Sequence, residues 1–545
     1  MGLASQTHGA FKLAETALNT YNKLMYSVDN IIAQLNNVTS EDKEMVRRAY
    51  TLASEAHKEQ KRYSGEPYIE HVSAVGYKLA EMGMGPRTVT AGLLHDTIED
   101  TDVTPQQIKE AFSEEILFLV SGVTKLSSVR YHGTDRHNES LRKLFIATSQ
   151  DIRVLLIKLI DRLHNMETLE FVPKEKQLRI AQETLEVYVP VAHRLGMGKI
   201  RKELEDLAFP YVYPKEAARV EELKQERASK ADELLEKERK ILQKGLVDAG
   251  LLKFQTSFRV KGSYSLYHKL KRKEWNIETI YDLLAMRVVV QNVEDCYRAL
   301  GIVHKIWRPL PGRMKDYIAF PKPNGYQSIH TTVMTRNGNI LEIQIRTERM
   351  HHEAEFGVAS HIIYKQSDID GNTKSTRSRF FNLIPSLFYP FSRRQAEVET
   401  DMIEVDKAQP PKDRIPLWIK EIGQLYSSEK STGAELIQDL QNDFFRNRIF
   451  VFTPNRDVVD LPTGATPIDF AYAIHSEIGN HISGVKVNKK MVALDTKLNN
   501  GDIVEVETKK SAKPSKKWLD IATTTLAKRH VRSYLGIPAP ATVKK

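Results

Sequence analysis

The sequence predicts a multidomain protein: an all-helical N-terminal domain, a mixed α/β domain after it, and a small strand-rich domain near the C-terminus. Three observations carry this. The chain has 545 residues, enough for three or four domains of ordinary size. Apolar residues recur at helical spacing from about 40 to 200. From Phe254 onward, β-branched runs alternate with helical stretches.

The elements follow in order. Glu41 to Glu59 and Ser73 to Met82 are amphipathic, and Val89 to Ile98 reads as one helix. Glu139 to His164 is a long apolar-periodic stretch broken at Asp151. Lys215 to Ala249 is dense in Lys, Glu and Arg with Leu or Val at helical spacing, and reads as a long solvated linker helix. Ala285 to Gln291, Ser328 to Met334 and Ile340 to Arg346 read as strands, with helices over Val293 to Trp307 and Glu348 to Tyr364. Residues 366–415 are polar, Pro-containing and irregular, a linker or insertion, and Leu417 to Gln441 returns to helix. Arg448 to Thr453, a Pro454-Asn455 turn and Asp457 to Leu461 make a hairpin. Lys486 to Asn488 and Asp502 to Glu507 supply further strands of a domain of roughly 60 residues. The tail from Lys509 is basic, with a helix over Trp518 to Leu535.

Composition narrows the class. Hydrophobic content of 41% supports real cores, and 28% charged with 8% aromatic residues suits a soluble globular protein. The net charge of +10 favours polyanionic partners such as nucleotides, phosphates or RNA, against the plainer reading of a basic surface with no partner. A single cysteine, Cys296, excludes disulfides and cysteine-rich zinc sites within the chain and points to a reducing cytoplasm. Met1 to Lys23 lacks the basic start and apolar core of a signal peptide. No apolar run reaches the ~18–20 residues of a spanning helix, so no membrane association is expected. The apolar Phe380 to Phe391, with two prolines, reads as a packed loop or a partner-docking segment.

Two constellations carry chemistry. In the first, His71, His95 and Asp96 (in Leu94-His-Asp-Thr-Ile-Glu-Asp100) and Asp161 (in Lys158-Leu-Ile-Asp-Arg-Leu-His-Asn165) combine imidazole and carboxylate, the donors that suit manganese, iron or zinc. No Ser or Cys nucleophile stands nearby, so a water activated by the ion would attack. If residues 95–100 are helical, His95/Glu99 and Asp96/Asp100 share a face, placing Glu99 and Asp100 beside the metal for proton transfer. The pattern suggests a metal-dependent phosphohydrolase.

The second lies in Pro311-Gly-Arg-Met-Lys-Asp-Tyr-Ile-Ala-Phe-Pro-Lys-Pro-Asn-Gly-Tyr-Gln-Ser-Ile-His330. Arg313, Lys315 and Lys322 are cations, Tyr326 offers an aromatic face, and His330 an imidazole: groups that neutralise a polyphosphate and stack a base. Arg259, Lys261, Lys269 and Lys271 add cations, while Asp282 and Glu342 are acids in apolar surroundings, fit for Mg²⁺ binding and proton abstraction. An ordinary basic surface with buried ion pairs explains the same residue types.

Taken together, the motifs Ser64-Gly-Glu-Pro-Tyr68 with His71, Leu94 to Thr101, Asp161-Arg-Leu-His-Asn165, Gly312 to Thr332, Glu342-Ile-Gln-Ile-Arg-Thr347 and Asp469-Phe-Ala-Tyr-Ala-Ile-His475 closely resemble the long RelA/SpoT homologues, stringent-response enzymes of bacteria that make and destroy guanosine tetra- and pentaphosphate, (p)ppGpp. The resemblance covers nearly all of residues 40–510. It implies an all-α HD-type metal-dependent hydrolase domain over 1–200, linker helices over 201–235 and an α/β nucleotidyltransferase-like synthetase domain over 236–366. An insertion and helical linker (367–445), a small β-grasp TGS domain (446–508) and a basic helical tail (509–545) follow.

For the hydrolase, the resemblance implies that His71, His95, Asp96 and Asp161 hold Mn²⁺, and that Glu99 and Asp100 position or activate water. Arg62 would pack on guanine, with Asn165 and Thr168 lining the nucleotide pocket. Tyr63 stands where many relatives carry a second basic residue. For the synthetase, Asp282 would bind Mg²⁺ and Glu342 would help deprotonate the ribose 3′-hydroxyl of GDP or GTP, which attacks the β-phosphorus of ATP. Arg259 and Arg287 would sandwich adenine, and Lys261, Ser265 and Lys269 would line the ATP phosphates. Tyr326 would stack on the acceptor guanine, with Lys315, Lys322, Asn324 and His330 around it. The basic Arg313-Met-Lys315-Asp316 accompanies bifunctional members of the family. The TGS domain would contact uncharged tRNA on the ribosome, with His475 and His481 as candidates. The sequence ends at Lys545, before the Cys-rich and ACT regions expected of long relatives. Two other readings compete: a ribosome- or tRNA-binding factor on a decayed enzyme scaffold, and an HD-type nucleotidase with a regulatory second domain.

Overall fold

The computed structural model describes residues 26–124, 133–277, 280, 284–322, 324–336, 338–360, 419, 448–454 and 458–537. The chain divides into two compact units, Met1–Lys125 with Ile152–Thr373, and Leu126–Asp151 with Lys374–Lys545.

The first unit opens with helices whose starts are written in the sequence. Ser27 caps α1 (Val28–Gln34), and Thr39 caps α2 (Ser40–Ala56) in a reciprocal pairing with Asp42. α3 (Ile69–Glu81) and α4 (Pro86–Leu93) pack closely: a Cβ at Gly76 would stand 2.8 Å from Leu93 Cδ2, so the glycine lets the two helices approach. The helix expected over Val89 to Ile98 is not continuous. It ends at Leu93, turns through residues 94–96 and resumes as the one-turn α5 (Thr97–Asp100). Side chains cause the break: His95 Nδ1 bonds the Gly92 carbonyl (2.8 Å), and Thr97 Oγ1 the Leu94 carbonyl (2.7 Å), replacing helical bonds.

α6 (Pro105–Ala111) and α7 (Glu114–Val123) follow; α8 (Gly133–Thr148) belongs to the second unit. α9 (Arg153–Glu167) is buried on nearly every face and carries Leu155, Leu156, Leu159, Ile160 and Leu163 into the core. A 3-10 turn (Leu169–Phe171), α10 (Lys174–Glu183), a π-helical turn (Thr184–Tyr188), α11 (Val189–Arg194) and α12 (Gly198–Val212) complete this region.

α13 (Pro214–Asp248) is the long helix read as a solvated linker, and that reading is corrected at both ends. Val220 packs with Leu266, Tyr267 and Leu270. Leu242 and Leu246 enter the α/β core beside Val288 and Ile343. The charged residues that suggested a solvated helix leave an apolar stripe wide enough to dock.

The α/β part comprises β1 (Phe254–Val260), α14 (Ser263–Arg272), β2 (Leu284–Val290), α15 (Val293–Ile306), β3 (Arg308–Asp316), β4 (Ile329–Met334), β5 (Ile340–Thr347) and α16 (Glu348–Phe356). Its sheet runs β1-β2-β5-β4-β3, with β2 and β5 parallel and the other pairs antiparallel. β3, read in the sequence only as part of a basic strip, is an edge strand whose register shifts between Pro309 and Met314, around Gly312 at φ 69°. Met286, Val288, Ile329, Ile343 and Ile345 turn to one face and bury against α15 and α13. Period-two alternation therefore sends their neighbours to the other face.

In the second unit, β6 (Arg448–Phe452) and β7 (Val458–Pro462) form the expected hairpin. α17 (Pro467–Ile474), α18 (Ser476–Asn480), β8 (Ile482–Val487), β9 (Lys490–Val492) and β10 (Val504–Thr508) follow, with sheet order β10-β8-β9 and a parallel bridge Phe452–Ile503 joining the hairpin to it. The helix expected over Trp518 to Leu535 is two, α19 (Trp518–Ile521) and α20 (Thr525–Leu535). The buried Asp469 carboxylate accepts bonds from the backbone N–H of Thr466, Thr523 and Thr524, which pins the break. The expected helix over Leu417 to Gln441, Ile419 apart, and the segments 366–415 and Phe380 to Phe391 lie outside the described residues.

Candidate active sites

The helical part of the first unit brings the first constellation together. α3 supplies His71, the turn after α4 supplies His95 and Asp96, and α9 supplies Asp161. His71 Nε2 lies 3.4 Å from Asp161 Oδ1 and 3.5 Å from Asp96 Oδ2; His95 Nε2 lies 3.1 Å from Asp96 Oδ2 and 3.7 Å from Asp161 Oδ1. Ligand atoms of His71, His95 and Asp161 all fall within 4.8 Å of one another. Donors about 2.1 Å from one ion stand roughly 3.0–3.4 Å apart, so the spacing fits.

The donor chemistry fits as well. His95 Nδ1 is spent on the Gly92 carbonyl, which leaves its buried Nε2 without a hydrogen-bond partner and aimed at the cluster. Burial alone would raise the pKa of Asp96; His95 and His71 outweigh it and hold that carboxyl well below the usual range. Asp161 is held low in the same way by Lys158 and the two imidazoles, again against burial. Burial disfavours a charged His95, yet Asp96 and Asp161 raise its pKa. A pocket that pulls so hard on a proton is built for a cation, and this buried His-His-Asp group is fit to hold a divalent metal.

Around it, Tyr68 donates from its hydroxyl to Asp96 (2.7 Å) and lies 3.3 Å from Asp100 Oδ2. Asp100 is exposed at the end of α5, with the half-buried Glu99 before it. The expected pairing of Asp96 with Asp100 holds, since Asp96 caps α5, Asp100 N–H bonds its carbonyl (2.9 Å) and both carboxylates meet Tyr68; that of His95 with Glu99 is corrected, because His95 lies in the turn before α5. Arg62, Asn165 and Thr168 do meet: Arg62 Nη2 donates to Asn165 Oδ1 (2.7 Å) and Thr168 Oγ1 (3.1 Å). Tyr63 is exposed, and Lys176 of α10 places its ammonium 3.3 Å from the Tyr63 hydroxyl, supplying a cation beside that position. Sequence reasoning missed Tyr68, Lys158 and His164. All three sit inside quoted motifs, and their spacing from known donors was the available signal: Lys158, Asp161, His164 and Asn165 follow at helical i, i+3, i+4 intervals.

The second constellation occupies the open face of the α/β sheet. Pairing sets Ser257 beside Arg287, Arg287 beside Gln344, Gln344 beside His330 and His330 beside Lys315. Arg259, Glu342 and Arg346 share that face by period two. One polar row thus crosses all five strands. His330 Nδ1 stands 3.1 Å from Glu342 Oε1, and the Tyr326 hydroxyl 2.8 Å from His330 Nε2. The network assigns the proton on Nδ1 to face the carboxylate, so the Tyr326 O–H donates to Nε2. Burial lowers the pKa of His330 although Glu342 opposes it, which favours the neutral ring. Gln344 Nε2 also donates to Glu342 Oε1 (2.8 Å), and Arg259 donates to Gln344 (3.3 Å).

Arg287 and the fully buried Arg346 converge on Glu355 of α16 at 3.4 and 3.1 Å, and each keeps a buried Nε without a hydrogen-bond partner. The Lys322 ammonium lies 5.1 Å from the Tyr326 ring centre. Asn324 donates to the His193 carbonyl (3.2 Å), and Ser265 to Glu205 of α12 (3.0 Å), so both meet the helical part of the same unit. Lys261 follows β1 and Lys269 lies on α14; Arg313 and Lys315 are exposed on β3. Asp282 lies outside the described residues. Sequence reasoning missed Gln344, Arg346 and Glu355, whose signal is the period-two placement of the first two with Glu342.

In the second unit both histidines have local bonds. His475 caps α18 by accepting from Glu477 N–H (3.2 Å), and His481 Nδ1 lies 3.0 Å from the Ala512 carbonyl.

Comparison with known proteins agrees with this arrangement. Residues 49–198 match an HD domain, residues 258–369 a region found in RelA/SpoT proteins, and residues 449–508 a TGS domain. The chain is 40% identical over 491 residues to a probable guanosine-3′,5′-bis(diphosphate) 3′-pyrophosphohydrolase of Synechocystis sp., covering 90% of this chain and 60% of that relative. It is 41% identical over 529 residues to the GTP pyrophosphokinase of Streptomyces coelicolor (96% and 59%). It is 42% identical over 497 residues to the bifunctional (p)ppGpp synthase/hydrolase RelA of Mycobacterium tuberculosis (91% and 63%). The chain thus carries these three domains in this order and is similar to RelA/SpoT proteins over most of its length. It spans about 60% of the length of the curated relatives it matches. Among solved structures, the small alarmone synthetase 2 from Bacillus subtilis is 29% identical, with 28% of this chain and 84% of that chain covered and a TM-score of 0.21.

Proposed function

We propose that this chain carries both halves of a guanosine tetra- and pentaphosphate cycle. One site transfers pyrophosphate from ATP to the 3′-hydroxyl of GDP or GTP; the other hydrolyses (p)ppGpp to GDP or GTP and pyrophosphate. The observation that supports this best is the presence of both constellations, the His71/His95/Asp96/Asp161 cluster beside Arg62, Asn165 and Thr168, and the Glu342–His330–Tyr326 chain on the sheet. A binding factor on a decayed scaffold would be expected to have lost part of one.

In synthesis, Glu342 takes the proton of the ribose 3′-hydroxyl, whose oxygen bonds to the β-phosphorus of ATP as the bond from that phosphorus to the α-β bridging oxygen breaks and AMP leaves. His330 holds the Glu342 carboxylate in place. Tyr326 stacks the acceptor guanine, Arg259 and Arg287 take adenine, and Lys261, Ser265, Lys269, Lys315, Lys322 and Asn324 surround the phosphates and acceptor. Asp282 would hold Mg²⁺, which offsets phosphate charge. In hydrolysis, His71, His95, Asp96 and Asp161 would hold Mn²⁺, which when bound acidifies water and draws charge from the 3′-pyrophosphate. Glu99 and Asp100 receive the proton of the attacking water, Tyr68 fixes the Asp96 and Asp100 carboxylates, and Arg62, Asn165 and Thr168 hold the nucleoside.

Among the described residues no helix is long and apolar enough to cross a membrane; with the single cysteine, this supports a cytoplasmic setting. The TGS domain and the net charge of +10 support contact with uncharged tRNA and the ribosome. Two incubations test the core of the reading: ATP plus GDP with Mg²⁺, and guanosine tetraphosphate with Mn²⁺, each resolved by chromatography. Failure to form tetraphosphate in the first, or to release pyrophosphate in the second, removes that half.

A further inference from the structure

The geometry points to His164 as a positioning residue that fixes the tautomer and ring orientation of His71, with Arg62 holding His164 in the accepting form. This rests on the reading of His71, His95, Asp96 and Asp161 as a divalent-metal set.

His71 Nε2 is the nitrogen turned to both carboxylates. To offer a lone pair there, His71 must carry its proton on Nδ1. That Nδ1 lies 2.9 Å from His164 Nδ1. Two imidazole nitrogens at this distance share one proton, so His71 donates and His164 accepts. Arg62 Nη1 stands 3.2 Å from the same His164 nitrogen and, having only protons to give, fits only an accepting Nδ1. Both donors thus require the same tautomer, with the His164 proton on Nε2.

Place in the fold gives the arrangement its stiffness. His164 is buried on α9 one turn after Asp161, and its ring centre lies 4.9 Å from that of His71. One helix therefore presents a carboxylate to the metal and an acceptor to the back of a second ligand. Metal-binding imidazoles are tuned by the group on their other nitrogen, and loss of such a partner weakens metal affinity typically 10–100-fold.

The test is Mn²⁺ titration of the full chain, reading free Mn²⁺ by electron paramagnetic resonance, with thermal melting in chelator as a fold control. His164→Leu removes the acceptor, and His164→Gln moves an amide to the far edge of the ring's position. Both should bind Mn²⁺ about 10–100-fold more weakly. His164→Asn, whose Oδ1 falls where Nδ1 was, should stay within about threefold. If His164→Leu does not fold, the comparison of Asn with Gln decides. Gln or Leu binding as tightly as the unsubstituted chain, or Asn binding no better than Gln, overturns the assignment. An unsubstituted chain that binds no Mn²⁺ overturns the metal reading itself, a different and distinguishable failure.

Discussion

Lys158→Met is the most exacting probe of the helical site. Lys158 is 8% exposed and its ammonium sits 2.7 Å from Asp161 Oδ2, while Asp161 itself is 4% exposed. Methionine nearly preserves length and volume, so the change reports charge and not a cavity. Removing one partner of a buried pair strands the other, at a cost of about 3–5 kcal/mol. For a domain of roughly 150–250 residues each kcal/mol moves the melting temperature about 2–4 °C, so a drop of about 6–20 °C is expected at pH 7 in chelator.

The pH dependence has a definite sign. Burial raises the Asp161 pKa, and Lys158 with the two imidazoles reverses this and depresses it. The stabilisation so gained is present above the unfolded carboxyl pKa of about 3.9 and is lost as pH falls through the lower folded value. Without Lys158, burial regains ground, Asp161 protonates more readily, and the deficit of the variant narrows as pH falls. Added Mn²⁺ should return more of the melting temperature to Lys158→Met than to the unsubstituted chain, because the ion neutralises the stranded carboxylate. Differential scanning calorimetry reads all three effects. A melt within about 2 °C of the unsubstituted chain at pH 7 would refute the reasoning, since a buried pair cannot lose one charge so cheaply.

Three further outcomes are expected. Asp96→Ala should end pyrophosphate release from guanosine tetraphosphate while synthesis from ATP and GDP persists; near-normal hydrolysis would remove Asp96 from the metal set. Glu342→Gln should bind ATP in a titration yet transfer pyrophosphate at least ~10²-fold more slowly, the low end for a lost general base, and undiminished turnover would dismiss it from that role. Tyr326→Ala should weaken GDP use about 5–150-fold, from a stacking contribution of roughly 1–3 kcal/mol, whereas Tyr326→Phe keeps most GDP affinity. Parallel loss of ATP and GDP binding with a lowered melt in the alanine variant would mean that the ring is a packing element.

The two sites differ in how far the sequence discloses them. For the helical site, residue types and approximate neighbours were readable, because imidazoles and carboxylates in otherwise apolar periodic stretches are conspicuous. The relation of Asp96 to Asp100 was readable too, but that of His95 to Glu99 was not, since side-chain bonds from His95 and Thr97 to preceding carbonyls break a helix that apolar spacing alone would continue. The same limit split the tail: a helix pattern over Trp518 to Leu535 carries no mark of Asp469, some 50 residues earlier, bonding into its middle. In α13, charge density masked the apolar stripe that docks Leu242 and Leu246.

In the α/β part the strip Pro311 to His330 was legible as chemistry but not as geometry. Tyr326 illustrates why. A base-stacking ring needs no hydroxyl, and the sequence supplies no partner for one; strand register supplies it, by placing His330 beside Gln344 and hence next to Glu342. Period two alone then predicts that Glu342, Gln344 and Arg346 face the site together while Ile343 and Ile345 fill the core. What periodicity does not reach is the attachment of this face to the helices before it. Asn324 bonds the His193 carbonyl, Val358 N–H the Leu195 carbonyl, and Ser265 the Glu205 carboxylate. Each joins a residue at or near the α/β site to α11, α12 or the turn between them. Those bonds run from side chain to backbone or across more than 50 residues, and only the folded chain displays them. They make the loop that carries Asn324 rest on the helices that follow the metal-ligand cluster, so a substitution at this seam is expected to alter both halves of the proposed cycle.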